Sequence, residues 1–194
     1  MKKIFALVAT LLFTVGVFAK GVNFNPEEVK LSSGTICIEQ ELPVHAIFDV
    51  SFDGYIHVFT DPTEKTKALN TMYSFCLIQK TQEYNAKQVQ VLLDEDDLSN
   101  IIKILSYYET CFNDVTTDEM TKITYFVTDK YAIGSEGFLG MSDIFFEYDG
   151  YHLSSYKLKD IPEIKKFFAD AYNKIQILKS KHLEAGQINK EDLK

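Results

Sequence analysis

Gln88 to Leu105 read QVQVLLDEDDLSNIIKIL, and the class of the fold turns on how that stretch divides. Gln88 to Leu93 is a short apolar run of strand length. Four acids follow, Asp94, Glu95, Asp96 and Asp97, and beyond them the apolar period changes. Leu98, Ile101, Ile102, Leu105, Tyr108 and Phe112 recur at the three- and four-residue spacing of one helix face. The acids do not form a calcium loop, which needs carboxylates at alternate positions, a central Gly and a distal Glu. They read as helix caps, accepting backbone N–H bonds and complementing the helix dipole. A strand therefore runs into an acid-capped helix over about 95–112.

Upstream, Thr35 to Gln40 alternates as a strand and Pro43 breaks it. From Val44 the even positions Val44, Ala46, Phe48, Val50 and Phe52 are apolar, the pattern of a half-buried strand. Asp53-Gly54 then reads as a hairpin turn leading into Tyr55 to Thr60. Residues 63–84 suit either period. Their Thr, Tyr, Phe and Ile content favours a strand near 73–82.

Downstream, Thr121 to Asp129 reads as a strand paired with Tyr131 to Ile133. Gly134, Gly137 and Gly140 read as a loosened connection. Ile144 to Tyr148 and Tyr151 to Leu158 flank a second hairpin signal, Asp149-Gly150. Asp160, with Glu163 three residues on and Pro162 in the first turn, opens a helix. Ile161, Ile164, Phe167, Phe168, Ala171, Tyr172, Ile175 and Leu178 run down one face of it, and Gly186 offers a stop. The order predicts an α+β fold: a mainly antiparallel sheet built from several hairpins, packed by two amphipathic helices at about 95–112 and 161–182. The pieces FDGYIH (52–57) and YDGYHL (148–153) resemble each other, but six residues around a common turn are too few to establish an internal duplication.

The N-terminus predicts export. Met1-Lys2-Lys3 precedes a charge-free stretch from Ile4 to Phe18, and Val17-Phe18-Ala19 places small residues at the −3 and −1 positions of a cleavage site. Residues 1–19 read as a cleaved secretory signal and 20–194 as a single α+β domain. Cleavage removes two Lys and no acid, taking the net charge from −8 to −10. All 20 cations are Lys; with the plentiful Ile, Asn, Tyr and Phe, this usage matches an AT-rich bacterial genome. An acidic chain of this kind lacks the basic footprint of a nucleic-acid binder. Beyond the signal no run is long and apolar enough to span a bilayer. Cys37, Cys76 and Cys111 are too few and too widely spaced for a disulfide framework or a C-x-x-C metal site. Burial would raise a thiol pKa, the opposite of activation.

No phosphate-binding, nucleophile-elbow or zinc-protease motif is present, and nothing calls for a cofactor. One polar cluster has chemistry. With Gly54 in the first turn, Asp49 pairs with His57 across the hairpin and His45 lies four residues along the same face. Those are zinc-ligand types, but about 13 Å along a strand separates 45 from 49. A solvated sheet face with an Asp49–His57 pair is the plainer reading. Tyr148, Tyr151 and Tyr156, near turns, are candidates for a contact surface. The sequence thus predicts an exported, periplasmic or extracellular, non-enzymatic binding module for a protein or small ligand. A metal-assisted hydrolase on His45, Asp49 and His57 is one alternative, and a carrier of a small apolar ligand another.

Overall fold

The computed structural model describes residues 38–48, 50–60, 71–81, 87–111, 121–138 and 141–191. Four strands, β1 (Ile38–Ile47), β2 (Phe52–Thr60), β3 (Thr71–Lys80) and β4 (Gln88–Leu93), lead into helix α1 (Glu95–Cys111). Four more, β5 (Thr121–Phe126), β6 (Tyr131–Phe138), β7 (Met141–Tyr148) and β8 (Tyr151–Lys157), lead through a short 3-10 turn, Leu158–Asp160, into α2 (Ile161–Glu191). The strands make two antiparallel sheets, ordered β1-β2-β3-β4 and β5-β6-β7-β8. This is the α+β class that the sequence predicts, with the ambiguous stretch resolved as strand β3.

The strand at Gln88 to Leu93 and the acid-capped helix fall where the 88–105 pattern places them. Asp97 N–H donates to Asp94 Oδ1 at 2.8 Å, and Asp94 N–H donates to Asp97 Oδ2 at 3.1 Å. This reciprocal box satisfies two backbone donors at the helix start. Glu95 reaches across to Lys179 and Gln176 on α2. The Lys179 ammonium holds the Glu95 carboxyl below its ordinary value, although its partial burial works the other way.

The first hairpin departs from the sequence reading. β1 continues through Pro43, which occupies an edge strand where a missing N–H costs no ladder bond. The turn lies at residues 48–51, closed by Ser51 N–H to the Phe48 carbonyl at 3.0 Å, so Asp53-Gly54 belongs to β2. Gly54 is required there by close approach: a Cβ would stand 2.6 Å from the Phe75 ring and from the Cys76 carbonyl. Phe48 and Val50 adopt φ of 50° and 65°, a backbone region costly for side-chain-bearing residues. The Phe48 ring offsets that strain by packing at 4.8 Å from Tyr156 and 6.2 Å from Phe52.

The second Asp-Gly does what its sequence predicts. Asp149 at φ 52° and Gly150 at φ 78° form a two-residue turn between β7 and β8, with both central residues at positive φ as a type I′ turn requires. Most of the expected glycine-loosened connection is instead strand: β6 runs through Gly134 and Gly137, while Gly140 lies outside the described residues. At Gly134 a Cβ would lie 1.8 Å from the Phe145 ring, so the missing side chain seats an aromatic from the neighbouring strand. Gly186 does not end α2, which continues to Glu191.

One buried cluster joins both sheets and both helices. Alternate residues of β2 and β3, Phe52, Ile56, Val58, Phe75 and Leu77, face it from the first sheet. Tyr131, Ile133, Ile144, Phe146 and Tyr156 face it from the second. β8 meets the first sheet in sequence: Tyr151 lies near Lys87 before β4, Ser154 bonds Gln79 near the end of β3, and Tyr156 packs on Phe48 in the β1–β2 turn. β8 therefore runs across one end of the first sheet, past the start of β4, the end of β3 and the β1–β2 turn.

A polar link runs through this interior. Gln79, fully buried, donates from Nε2 to Ser154 Oγ at 2.8 Å and accepts from Tyr131 Oη at 2.8 Å. Burial pushes the Tyr131 hydroxyl well above its ordinary pKa, so it stays protonated and able to donate. Tyr131→Phe should leave the buried Gln79 oxygen without that donor and cost about 1–3 kcal/mol in chemical unfolding.

Asp97 yields a pH-dependent prediction. Burial pushes its carboxyl up to about 7; the Asp94 N–H opposes the rise, and the neighbouring Asp94 and Asp96 charges add to it. A carboxyl whose pKa is raised by folding contributes stability that is complete below its unfolded value, about 4, and lost as pH rises through 7. Asp97→Asn keeps an acceptor without the charge. Thermal melts should find the variant more stable than the parent at pH 8 and equal to it at pH 3.5.

Candidate functional site

β2 carries the sequence's polar candidates, and its register decides their fate. His57 pairs with Glu41 on β1 and with Ser74 on β3, because the turn at 48–51 shifts the pairing away from an Asp49 partner. Asp49 itself lies outside the described residues. His45 is exposed near the β1 irregularity, four residues from Glu41 along the strand and therefore about 13 Å away. The register does not bring His45 to His57. Among the described residues no group of three or more His, Cys, Asp or Glu side chains is placed to hold a metal ion.

The expectation of a solvated His57 is corrected too. Phe52, Ile56 and Val58 face the shared core, so His57 at an odd position points to the opposite face of the sheet, yet it is only 1% exposed. Its ring lies 3.9 Å from that of Phe59 and 5.8 Å from that of Tyr55. Cys76, paired with Tyr55, occupies the same face and is also buried. Its burial pushes the thiol up; a hydrogen bond with Tyr55 works against this, and the Glu41 charge works with it. A protonated, covered thiol is a poor nucleophile. The Tyr55–His57–Cys76 face thus holds titratable groups in packing roles, with the exposed Glu41 beside them. Cys37 lies outside the described residues.

The tyrosine candidates separate. Tyr156 is buried, with its ring 5.4 Å from that of Phe52 and 6.0 Å from that of Phe146, and offers no contact surface. Tyr148 is half-buried against the core, and desolvation raises its hydroxyl pKa, with the Asp149 charge adding to the shift. Tyr151 stands free of the core at 71% exposure, with Lys87 Nζ 5.9 Å from its ring centroid.

Sequence reasoning passed over Phe126, which is 70% exposed at the end of edge strand β5. The signal was in the alternation of Thr121 to Asp129: Ile123 and Val127 pack on the core, which turns 124 and 126 outward. The β5–β6 and β7–β8 turns lie at the same end of the second sheet, so Phe126 and Tyr151 mark that end. They sit three strand spacings apart, about 14 Å. Val50, 47% exposed at positive φ, projects from the β1–β2 turn. On the second sheet's outer face Lys122 bonds Glu147 at 3.0 Å and lies 4.3 Å from the Phe145 centroid, which closes that face with charge and packing.

Comparison of this chain with protein-family models, with curated proteins and with solved structures finds no match.

A buried imidazole predicts a different mutational response from a surface one. His57→Ala should destabilise the fold by at least about 1 kcal/mol, since truncation leaves a cavity between Tyr55 and Phe59. Added zinc should leave the melting temperatures of parent and variant unchanged. Both are read by thermal melting with and without the metal.

Proposed function

We propose that the protein acts after export, in the periplasm or outside the cell, as a non-catalytic module that binds a protein or small ligand through the turn end of its second sheet. The observation that carries this reading is the exposure of Tyr151 and Phe126, 71% and 70%, on opposite faces at one end of a sheet whose other described aromatics are buried or half-buried. Aromatic side chains concentrate at the centres of interfaces, where they bury large area at small entropic cost. The groups that could carry reaction chemistry on the first sheet, His57 and Cys76, are covered by neighbours. The acidic balance, −8 for the whole chain, disfavours nucleic acid as the ligand. No helix among the described residues is long and apolar enough to cross a membrane. The export half of the reading rests on the Met1–Ala19 pattern.

The two halves of the reading have separate tests. Mature protein recovered from its native host should begin at Lys20, by intact mass and N-terminal sequencing; an intact Met1 would sink export by this signal. A photo-crosslinking residue placed in turn at 126, 151 and, as a control, at the exposed Lys166 on α2 should give discrete adducts in the native host from 126 or 151 and none from 166. Adducts from 166 alone, or from no position, would remove the turn end as the binding surface.

A further inference from the structure

Each sheet has two edge strands, and an unpaired edge is a template for another strand unless something blocks it. β1 is blocked by Pro43, by the irregularity between Val44 and Ile47, and by Lys174 of α2, which donates to the Pro43 carbonyl at 2.6 Å. β8 slips register against β7 between Phe146 and Glu147 and is bonded to the first sheet through Ser154. β4 meets β8 at its start, where Lys87 lies by the Tyr151 ring, and passes into α1 at its end. β5 has none of these devices. It pairs with β6 without a break from Thr121 to Phe126 and contains no proline. Its one Lys, Lys122, is turned back onto Glu147 and Phe145.

Hydrogen-bond parity fixes which backbone groups β5 offers. Val127 N–H donates to the Tyr131 carbonyl at 2.9 Å, so the residues that bond between β5 and β6 are the odd-numbered ones. Asp149 N–H donates to the Lys130 carbonyl at 2.7 Å, so β6 turns its even-numbered groups to β7, as the alternation requires. The N–H and carbonyl groups of Lys122, Thr124 and Phe126 therefore point away from β6, past the edge of the sheet. No described strand takes them. Their side chains share the outer face of the sheet, and Phe126 is 70% exposed there.

We infer that β5 is a self-pairing edge: two copies of this chain join antiparallel along it, with Thr124 of one opposite Thr124 of the other. Among the antiparallel registers with a two-fold axis, this one engages all three outward residues, and each pair exchanges both of its backbone bonds. On the outer face it sets Lys122 of each copy opposite Phe126 of the other. On the inner face the half-buried Ile123 meets the half-buried Tyr125. A cation and its apolar stem against an aromatic ring, a Thr–Thr pair and a β-branched–aromatic pair are all favourable cross-strand neighbours. No like charges meet. The product is a continuous eight-stranded sheet whose outer edges are both β8, already bonded to the first sheet, so the assembly closes at two copies. A six-residue edge offers less than the roughly 1,200 Å² of a standard stable interface, which makes this a transient dimer. Tyr151, on the far edge, stays open for the ligand proposed above, so the pairing does not depend on that reading.

Sedimentation velocity over a concentration series tests this on the parent and three variants made from the complete chain, under reducing conditions so that cysteines cannot link copies. The parent should pass from one chain mass to two as concentration rises. Thr124→Pro removes an outward N–H that its own sheet does not use, and should leave the melting temperature nearly unchanged. It should weaken association at least about tenfold, as should Phe126→Lys, which sets ammonium groups opposite each other. Phe126→Glu sets a carboxylate opposite Lys122 and should keep the dimer. That contrast reads the register, because an unspecific contact through the Phe126 ring, or a ladder with a different strand, would be lost in both substitutions. A parent that stays monomeric up to about 1 mM would overturn the proposal. So would a dimer that survives Thr124→Pro, or equal loss in Phe126→Lys and Phe126→Glu. If Thr124→Pro does not fold, the two Phe126 variants decide, since that side chain lies outside the core and its replacement costs the fold little.

Discussion

Phe52 is the residue at which the two sheets and α2 meet. Its ring, fully buried at the start of β2, touches Phe146 and Tyr156 of the second sheet and Phe167 and Phe168 of α2. Edge-to-face contacts of this kind are directional, so the ring constrains the angle between its neighbours as well as their distance. The residues just before it must then turn sharply enough to deliver β2 into this position. The positive φ values of Phe48 and Val50 are the local cost, and Phe48 recovers part of it by laying its own ring on Tyr156. The strained turn and the aromatic centre are thus one device. Interiors packed as densely as organic crystals hold such rings in a single arrangement.

Apolar burial alone would leave the two sheets free to slide. The Gln79 carboxamide removes that freedom, because it finds both partners only when β3 meets β8 and β6 in this register. An interior polar group with its partners in place costs little, and out of place it costs heavily. The penalty falls on every alternative packing. Tyr108, anchored to the Ile133 carbonyl, acts in the same sense for α1.

How much of this was legible in the sequence depends on which interactions were local. The acid-capped α1, the β4 strand and the Asp149-Gly150 turn were readable because caps and two-residue turns are decided within a few residues. The same dipeptide misled at Asp53-Gly54. There the glycine answers to Phe75, a residue more than twenty positions away, and no local rule sees it. Gly134 is the same case, with Phe145 as the distant cause. Pro43 read as a break because its position on a sheet edge, where proline is tolerated, is a property of the assembled sheet. The candidate cluster depended on the turn, and moving a turn re-pairs every residue behind it. His57 consequently met Glu41 and Ser74, and its burial came from aromatic neighbours that alternation alone assigns to solvent.

The joining of the two sheets in one core bears on how a binding surface could be built here. The turn end that carries Phe126 and Tyr151 belongs to the second sheet, yet Tyr151 lies beside Lys87 of the first, and β8 behind it is held by Gln79 and Phe52. The β5 edge is held less directly, through Ile123 and the Tyr108 hydroxyl beside its carbonyl. A ligand at that end would press on elements fixed by residues from both halves of the chain, which favours a rigid platform at Tyr151 and a more yielding rim at Phe126. Rigid aromatic anchors lose less freedom on association than mobile ones. Of the two exposed aromatics at that end, Tyr151 is therefore the better anchor for the ligand proposed above.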